Sequence, residues 1–470
     1  MQAASDSAEA LTKIPLLDIK DIEPQAEYLS IVEKEENGSK VLFHPYFTNK
    51  IAYLTLYFNT QSVPQQLLPY VYLLAEILGK VDTAQYDYAT LSNEVNINTG
   101  GISYEVAVYA AKEDDNVYYP KFKVKSKALM AKLPQMFDLL SQIVGHSRFS
   151  KASRLEEIIK EIKSQLSLVI LRNGQQIAAS RVLSYFSPTA HYTEIGLLSF
   201  YEFIVGLEKD FAGKAAEISR NLQTVAGMIF SKENIMASIT LEREHYNQFQ
   251  KQFVAFLNSL EQRQSTNAPQ VYHFNLVPRN EGLMTSSKVQ YVAKGANFRK
   301  LGYAYHGSLK VLETILRYDY LWTRVRVQGG AYGGFAQFER SGNMVLGSYR
   351  DPNLRETLTV YDETALYLRK FQVTDREMTK YIIGTMSQLD APLSPQKKGE
   401  KADTYYIRNI SQAEIQAERD EILAAGQATI RNLATMMETA MQQNYHCVLG
   451  NEQKIKENKA MFNELVQVFE

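Results

Sequence analysis

The chain has 470 residues, 45% hydrophobic content and a formal net charge of -1, and this length predicts two domains, or three, each with its own core. The balanced charge gives no support to nucleic-acid binding, and the single cysteine, Cys447, excludes an intrachain disulfide framework. The start, MQAASDSAEALTKIPLLDIK, lacks the pattern of a targeting signal, and the apolar runs are too short to cross a bilayer, so we expect no nucleic-acid or membrane partner and favour the cytoplasm.

The first elements predicted along the chain are two strands within 40–60. KVLFHPY is followed by KIAYLTLYFNT, in which apolar and polar positions alternate. A helix is predicted to begin at Pro64, because one helical face after it is apolar. That face contains Leu67, Leu68, Val71, Leu74 and Leu78. A second helix is predicted over 88–97, and TGGISYEVAVYA predicts a strand opened by a glycine pair.

The next predicted strand, YPKFKVKSKA, carries a row of lysines on one face. They are Lys121, Lys123, Lys125 and Lys127. The row could form an anion site, but we favour a solvated or edge strand protected by its lysines. Residues 129–260 are predicted to be mostly helical, with a strand near 234–242. The polar stretch EQRQSTNAPQ at 261–270 has linker composition, and we place a domain boundary there.

After this stretch the pattern begins again. VYHFNLVP and KVQYVAKG predict strands, and GSLKVLETILRYDYLW predicts a helix capped by Ser308. Two strands are predicted around the Ser-Gly-Asn turn at 341–343. LRETLTVYDETALYLRKF predicts a helix, and a further helix begins with Thr374 and Glu377 at capping-box spacing. More helices, a strand at NYHCVLG and a C-terminal helix complete the prediction.

The two halves therefore share an order of elements, which indicates an internal repeat. Its anchor is TGGISYEVAVY at 99–109 against QGGAYGGFAQF at 328–338. The identity between these segments is weak, and the shared order of strands and helices is the stronger argument for a duplication.

A metal site or a nucleophile is not evident in local sequence motifs. The chain has seven histidines, none close to another, and neither His-Glu-x-x-His nor its inversion occurs. Glu244-His245 is the nearest approach, but the inverted motif would need histidine where Leu241 stands. His446 and Cys447 are neighbours on a predicted strand, so their side chains should point to opposite faces. We interpret Cys447 as a core residue.

The segment LWTRVRVQGGAYGGF is the best candidate for chemistry. Arg324 and Arg326 precede the pair Gly329 and Gly330, and Tyr332 follows. A glycine pair would let another backbone approach closely, so that a guanidinium and a phenol could donate to a carbonyl that gains negative charge. The alternative is that the glycines form a β-bulge and the arginines are solvated.

This segment also carries a family resemblance. LWTRVRVQGGAYGGFAQF and GSYRDPNLRETLTVYDETALYLRKF resemble the C-terminal half of presequence proteases, which are inverted-motif zinc peptidases related to insulysin and pitrilysin. KIPLLDIKDI and KVLFHPYFTNKIAYLTLYFN resemble the start of that half. The resemblance therefore extends from about residue 12 to the end.

The resemblance implies an α+β fold with two homologous two-layer domains, each a mostly antiparallel sheet packed with helices. We place a lead-in segment at 1–22, a first peptidase-like domain at 23–262 and a second at 271–470. The family's zinc and inverted motif lie on an N-terminal half that this chain lacks, so we expect no cofactor here and zinc on that half.

The resemblance also implies that an arginine and a tyrosine of the last domain reach the substrate at the zinc site, and these match Arg326 and Tyr332. Arg324, Gly329 and Gly330 receive supporting roles. In the first copy of the repeat, Ile97 stands opposite Arg326 and Ser103 opposite Tyr332, so that copy lacks both donors.

The function implied is the C-terminal half of a zinc metallopeptidase that degrades short unstructured peptides. In it the chain would enclose the substrate chamber, bind a zinc-bearing N-terminal half and be inactive alone. A second hypothesis is a naturally separate non-catalytic subunit or scaffold that pairs with a zinc-bearing partner. A third, an independent zinc peptidase, predicts stoichiometric zinc in the isolated chain, which we do not expect.

Overall fold

The first sheet has six strands and lies in the N-terminal part of the chain. The computed structural model describes residues 17–260 and 269–469, and the statements below refer to these residues. The strands are β1 Val32–Glu36, β2 Ser39–Pro45, β3 Ile51–Asn59, β4 Ile102–Ala110, β5 Tyr118–Leu129 and β6 Ile235–Leu241. The α-helices of this part are α1 Leu68–Ile77, α2 Tyr88–Asn98, α3 Leu133–His146, α4 Ala152–Arg172, α5 Gly174–Ser184, α6 Pro188–Glu194, α7 Leu198–Lys209, α8 Phe211–Ile229 and α9 Tyr246–Ser259.

The second sheet also has six strands. They are β7 Asn280–Thr285, β8 Tyr291–Asn297, β9 Gly333–Phe338, β10 Asn343–Tyr349, β11 Tyr445–Asn451 and β12 Glu464–Gln467. The α-helices are α10 Ser308–Ile315, α11 Arg355–Asp362, α12 Thr364–Arg369, α13 Asp375–Leu389, α14 Pro395–Ile407, α15 Gln412–Leu423, α16 Gln427–Asn432, α17 Ala434–Gln442 and α18 Glu452–Glu457. No helix of the described ranges combines the length and apolarity needed to cross a membrane.

Five strands of each sheet repeat one topology, and the sixth strands differ, because β1 is antiparallel to β2 whereas β12 is parallel to β7. Their strand orders are β1-β2-β6-β3-β5-β4 and β12-β7-β11-β8-β10-β9. In both, the second and third strands are parallel and the following pairs are antiparallel. The predicted α+β fold and the duplication are therefore confirmed, and β4 and β9, the strands that follow the glycine pairs, are equivalent edges.

The halves are joined by an exchange of helices across their sheets. Helix α5 packs on the second sheet, where Ile177 and Val182 share an apolar cluster with Val345 and Leu449. Helix α14 packs on the first sheet through polar contacts. There Asp403 accepts a hydrogen bond from Tyr57 at 2.8 Å and pairs with His44 Nε2 at 2.9 Å.

A glycine marks each contact between an exchanged helix and the opposite sheet. A Cβ on Gly174 would lie 2.2 Å from the Tyr291 ring, and a Cβ on Gly399 would lie 2.3 Å from Thr240 Oγ1. Contacts between real Cβ atoms and their neighbours are about 3.5–4.0 Å. At Gly174 and Gly399 the helix backbone therefore lies so close to the opposite sheet that only glycine fits without a clash.

A buried ion cluster also crosses between the halves. Glu281, on β7, accepts hydrogen bonds from Arg181 at 2.6 and 2.9 Å and from Tyr185 at 2.6 Å. Glu194 on α6 pairs with the same guanidinium at 3.1 Å. Burial is the largest influence and by itself would raise the pKa of Glu281, but the hydrogen bonds and charge of Arg181, with Tyr185 and Arg279, together lower that pKa.

The lysine strand is not an edge, contrary to our prediction. β5 lies between β3 and β4, and Lys123 is 8% exposed. The Nζ atoms of Lys123 and Lys125 lie 2.5 and 2.9 Å from Glu105, and Lys125 also approaches Glu400 of α14 at 3.6 Å. Lys125 thus contacts the second half, which a local sequence pattern does not reveal, while Lys127 is exposed, as expected of a solvated row.

Four other predictions in the second half need correction. VYHFNLVP forms no strand, since β7 begins at Asn280. Ser308 is the first helical residue and not the cap, because Gly307 occupies the cap position. The helix predicted over LRETLTVYDETALYLRKF divides into α11 and α12, and β12 follows the C-terminal helix α18.

The remaining elements agree with the prediction, including the capping box of Thr374 and Glu377. Residues 1–16 and 261–268 lie outside the described residues. They include most of the predicted lead-in segment at 1–22 and most of the predicted boundary at 261–270. The domain limits therefore stay a prediction.

Candidate functional site

The two arginines of the candidate segment lie on a helix, not on the approach to a strand. α10 continues into π-helical turns at Leu316–Tyr320 and Trp322–Gln328. Residues two apart on a helix do not share a face, so Arg324 and Arg326 point in different directions. π-Helical turns are rare and occur often at functional sites.

The two guanidinium groups accordingly have different surroundings. Arg324 donates to Glu363 at 2.7 Å on the surface. Arg326 stacks on Trp322, with its guanidinium carbon 4.0 Å from the ring centroid. This stacking holds the guanidinium in one orientation without a carboxylate, so Arg326 keeps its donors for a ligand.

The glycine pair ends this helix and does not form a β-bulge. Gly330 has φ +81° and its N–H donates to the carbonyl of Arg326 at 2.9 Å, which is the left-handed ending that favours glycine. A Cβ on Gly329 would lie 2.6 Å from the carbonyl oxygen of Val325. Asn353 Nδ2 donates to the Gly329 carbonyl at 2.5 Å and so fixes the turn.

Tyr332 lies on the surface directly after this turn. It is 66% exposed, and its ring meets the Tyr349 ring edge-on at 6.3 Å between centroids. The Arg350 guanidinium lies 5.7 Å from the Tyr332 ring. The ring is thus held by two neighbours, while its hydroxyl has no hydrogen-bond partner in the described parts of the chain.

A groove of about 800 Å³ runs beside edge strand β9. One wall comes from α10 and the π-helical turns, with Trp322 and Arg326, and the other from α5 of the first half, with Gln176 and Ala179. Strand β9, including Phe335 at its centre, forms the floor. The groove therefore belongs to both halves.

The free edge of β9 is open over only part of its length. At Phe338 the outward N–H donates to Glu313 at 2.6 Å and the outward carbonyl accepts from Lys310 at 2.9 Å. Alternate residues of a strand direct their backbone groups to the same side, so Gly334 and Ala336 present theirs to the groove. An extended peptide could pair with this open edge.

Arg326 and Tyr332 do not line the same cavity. Arg326 lines the groove, while Tyr332 lines an adjacent cavity of about 540 Å³ with Arg350 and Gly330. Tyr349 lines the groove and its ring contacts that of Tyr332, so it connects the linings of the two cavities.

The equivalent positions of the first half carry no donors of this kind. Ile97, near the end of α2, is 66% exposed, and Ser103 lies on edge strand β4. The contrast agrees with the sequence alignment of the repeat.

Several groove residues were not predicted from the sequence. Trp322 could have been found, since it is the single tryptophan and stands four residues before Arg326. Gln176 had no such signal, because the fold brings it from the other half of the chain.

The described residues do not form a metal centre. No group of three or more His, Cys, Asp or Glu side chains among 17–260 and 269–469 could hold a metal ion. His44 is occupied by Asp403 and the Ser30 carbonyl. Burial lowers the pKa of His446 to about 4 and raises the pKa of the Cys447 thiol, so both are neutral core groups. Zinc therefore does not fit the side chains that the structure describes.

The repeated sheets and the helix-flanked groove define the class of protein to which the chain belongs. The chain resembles a peptidase M16 inactive domain from Pseudomonas fluorescens with a TM-score of 0.61 at 14% identity, over 90% of this chain and 97% of that one. At this identity the likeness shows the fold alone.

Sequence comparisons make the assignment more specific. The family of domains associated with subfamily C of the M16 peptidases matches residues 1–207, and the PreP C-terminal domain matches 280–450. Protein HypA of Clostridium perfringens is 43% identical over 468 residues, which are 99% of this chain and 48% of that protein. Presequence protease 1 of Arabidopsis thaliana is 29% identical over 471 residues, 100% of this chain and 43% of that protein.

The chain is homologous to the C-terminal half of the presequence proteases, within subfamily C of the M16 peptidases. It spans about half the length of the curated relatives it matches.

Proposed function

We propose that this chain is the C-terminal half of a zinc metallopeptidase that degrades short unstructured peptides, and that it encloses the substrate and contributes Arg326 and Tyr332 to the active site. The observation that carries this proposal is the pair of free donors beside a groove with an open strand edge. A zinc-bearing N-terminal half is the partner that the proposal requires.

The groove suits a peptide in extended conformation. Backbone groups of Gly334 and Ala336 would bind any sequence, because they read only the peptide main chain. The aromatic surface of Trp322 and the exposed ring of Tyr318, which also lines the groove, would contact apolar side chains. This arrangement selects unfolded peptides over folded proteins.

The donors have a defined task in peptide hydrolysis. Zinc on the partner half would supply the activated water. Arg326 and Tyr332 would donate hydrogen bonds to the carbonyl oxygen as it gains negative charge, an interaction that strengthens on the way to the transition state.

The test introduces the substitution Tyr332→Phe into this chain after it has been joined to a zinc-bearing N-terminal half. We expect kcat to fall by about 10²–10³, the loss typical of one such donor, with a much smaller change in KM. Tyr28→Phe is the matched control, because Tyr28 is also 66% exposed and does not line the groove. An unchanged kcat in Tyr332→Phe would exclude the proposed role.

A further inference from the structure

A second cavity of about 470 Å³ extends the groove toward the contact between the two halves. The two spaces share Gln176, Ala179 and Gln337 in their linings, so they lie side by side. The second cavity lies where the ends of the edge strands β4 and β9 approach each other, since it includes Ala110 and Phe338.

Three cationic side chains line this cavity, and two of them are already paired. Lys310 lies 2.8 Å from Glu313, and Arg340 lies 2.6 Å from Glu418. Both cations are therefore neutralised within the protein.

Arg408, at the C-terminal end of α14, is the exception. Its Nε donates to the Ala110 carbonyl at 3.0 Å, which fixes the plane of the guanidinium. In the described ranges its terminal nitrogens have no hydrogen-bond partner and no carboxylate forms an ion pair with it. The nearby carboxylate of Glu339 accepts from Ser341 at 3.2 Å.

Burial makes this unpaired cation costly. Arg408 is partly buried, and desolvation lowers the pKa of its guanidinium. Arginine nevertheless keeps its charge, and its planar fork matches a carboxylate. An oriented, partly desolvated guanidinium that lines a cavity is suited to an anionic ligand.

We propose that Arg408 binds a carboxylate of a peptide lying along β9, as a second anchoring point remote from the donors. This proposal rests on the proposed function. The six residues of β9 span roughly 17 Å, which is five steps of ~3.3 Å, so the anchored carboxylate would stand about five residues from the cleaved bond. It could be the α-carboxylate of the peptide terminus or an acidic side chain.

The test measures binding of dye-labelled unstructured peptides to the full chain by fluorescence anisotropy. One peptide pair differs only in a free or amidated C-terminus, and a second pair carries Glu or Gln at internal positions. Each is titrated against the wild-type chain, Arg408→Gln and Arg408→Lys. Arg220→Gln is the control, since Arg220 is an exposed arginine on α8 away from the groove.

We expect removal of the recognised carboxylate to weaken binding about tenfold in the wild-type chain, the factor that ~1.4 kcal/mol gives, and less than about twofold in Arg408→Gln. In Arg408→Lys, removal of the carboxylate should still weaken binding, but by less than in the wild-type chain, because lysine keeps the charge and loses the paired N–H donors of the guanidinium. The peptide pair that responds identifies the source of the carboxylate. A matching thermal melt for each variant shows that it is folded.

The outcomes separate this proposal from the proposed function. If all peptides bind equally well and Arg408→Gln changes nothing, the groove binds peptides but Arg408 does not anchor a carboxylate. If no peptide binds to the chain, the carboxylate anchor on this half is refuted, whereas the proposed function is decided separately by kcat of Tyr332→Phe in the chain joined to a zinc-bearing half.

Discussion

Replacement of Gly174 tests whether the exchange of helices holds the two halves together. In Gly174→Ala the new Cβ would lie 2.2 Å from Tyr291 Cδ2, about 1.3 Å short of an ordinary ~3.5 Å contact. The Tyr291 ring is 2% exposed, and its hydroxyl donates to the Leu171 carbonyl at 3.1 Å. The ring therefore cannot move away without losing a hydrogen bond, and overpacking of this kind costs about 1–3 kcal/mol.

The matched control is Gly206→Ala. Gly206 lies within α7 and a Cβ there would meet no atom within 4 Å. Alanine is a better helix former than glycine by ~1 kcal/mol, so this variant should be as stable as the wild-type chain or more so. Unfolding midpoints from heat and denaturant should therefore move in opposite directions for the two variants.

Peptide binding provides a second measurement. Because α5 forms a wall of the groove through Gln176 and Ala179, a displaced α5 should also weaken peptide binding in Gly174→Ala and leave it unchanged in Gly206→Ala. Equal midpoints for the two variants would show that Tyr291 is not fixed, and the reasoning about close packing would be wrong.

Three further predictions concern two buried groups and the metal content. The pKa of His446 is lowered from 6.5 to about 4, so between these pH values the unfolded chain binds more protons than the folded chain. The free energy of unfolding should therefore fall by up to roughly 3 kcal/mol as pH falls through this window. His446→Gln should flatten the pH dependence of the unfolding midpoint. Glu281→Gln should destabilise the fold by about 3 kcal/mol, since it breaks a buried ion cluster, whereas Lys160→Ala, at an exposed pair with Glu156, should leave the midpoint unchanged. Elemental analysis of the purified chain should find no stoichiometric zinc, and one zinc per chain would support an independent metal site.

Elements set by local chemistry could be predicted from the sequence. The capping box at Thr374 and the apolar face of α1 depend on residues a few positions apart, and both were predicted. The duplication was also visible, because each half repeats the same order of elements around its glycine pair.

Features that depend on distant residues could not be predicted. The lysine row of β5 is charged and locally indicates an exposed strand, yet its carboxylate partners include Glu400 of the other half. Arg324 and Arg326 point in different directions because both lie in a π-helical turn, Trp322–Gln328, that extends the helix. Its β-branched and charged residues would be assigned to a strand by local preference. The roles of Arg326 and Tyr332 stay predictions, although their exposure and free donors support them.

The exchanged helices differ in what they cover. Helix α5 covers an apolar face of the second sheet that includes Val345 and Leu449, whereas α14 covers a face of the first sheet that carries His44 and Tyr57. Separation of the halves would expose both sides of the α5 contact, since the apolar face of α5, with Ile177, belongs to the first half and the sheet face to the second. Each half alone would therefore present an aggregation-prone surface, and we expect a chain nicked between residues 260 and 280 to remain one particle.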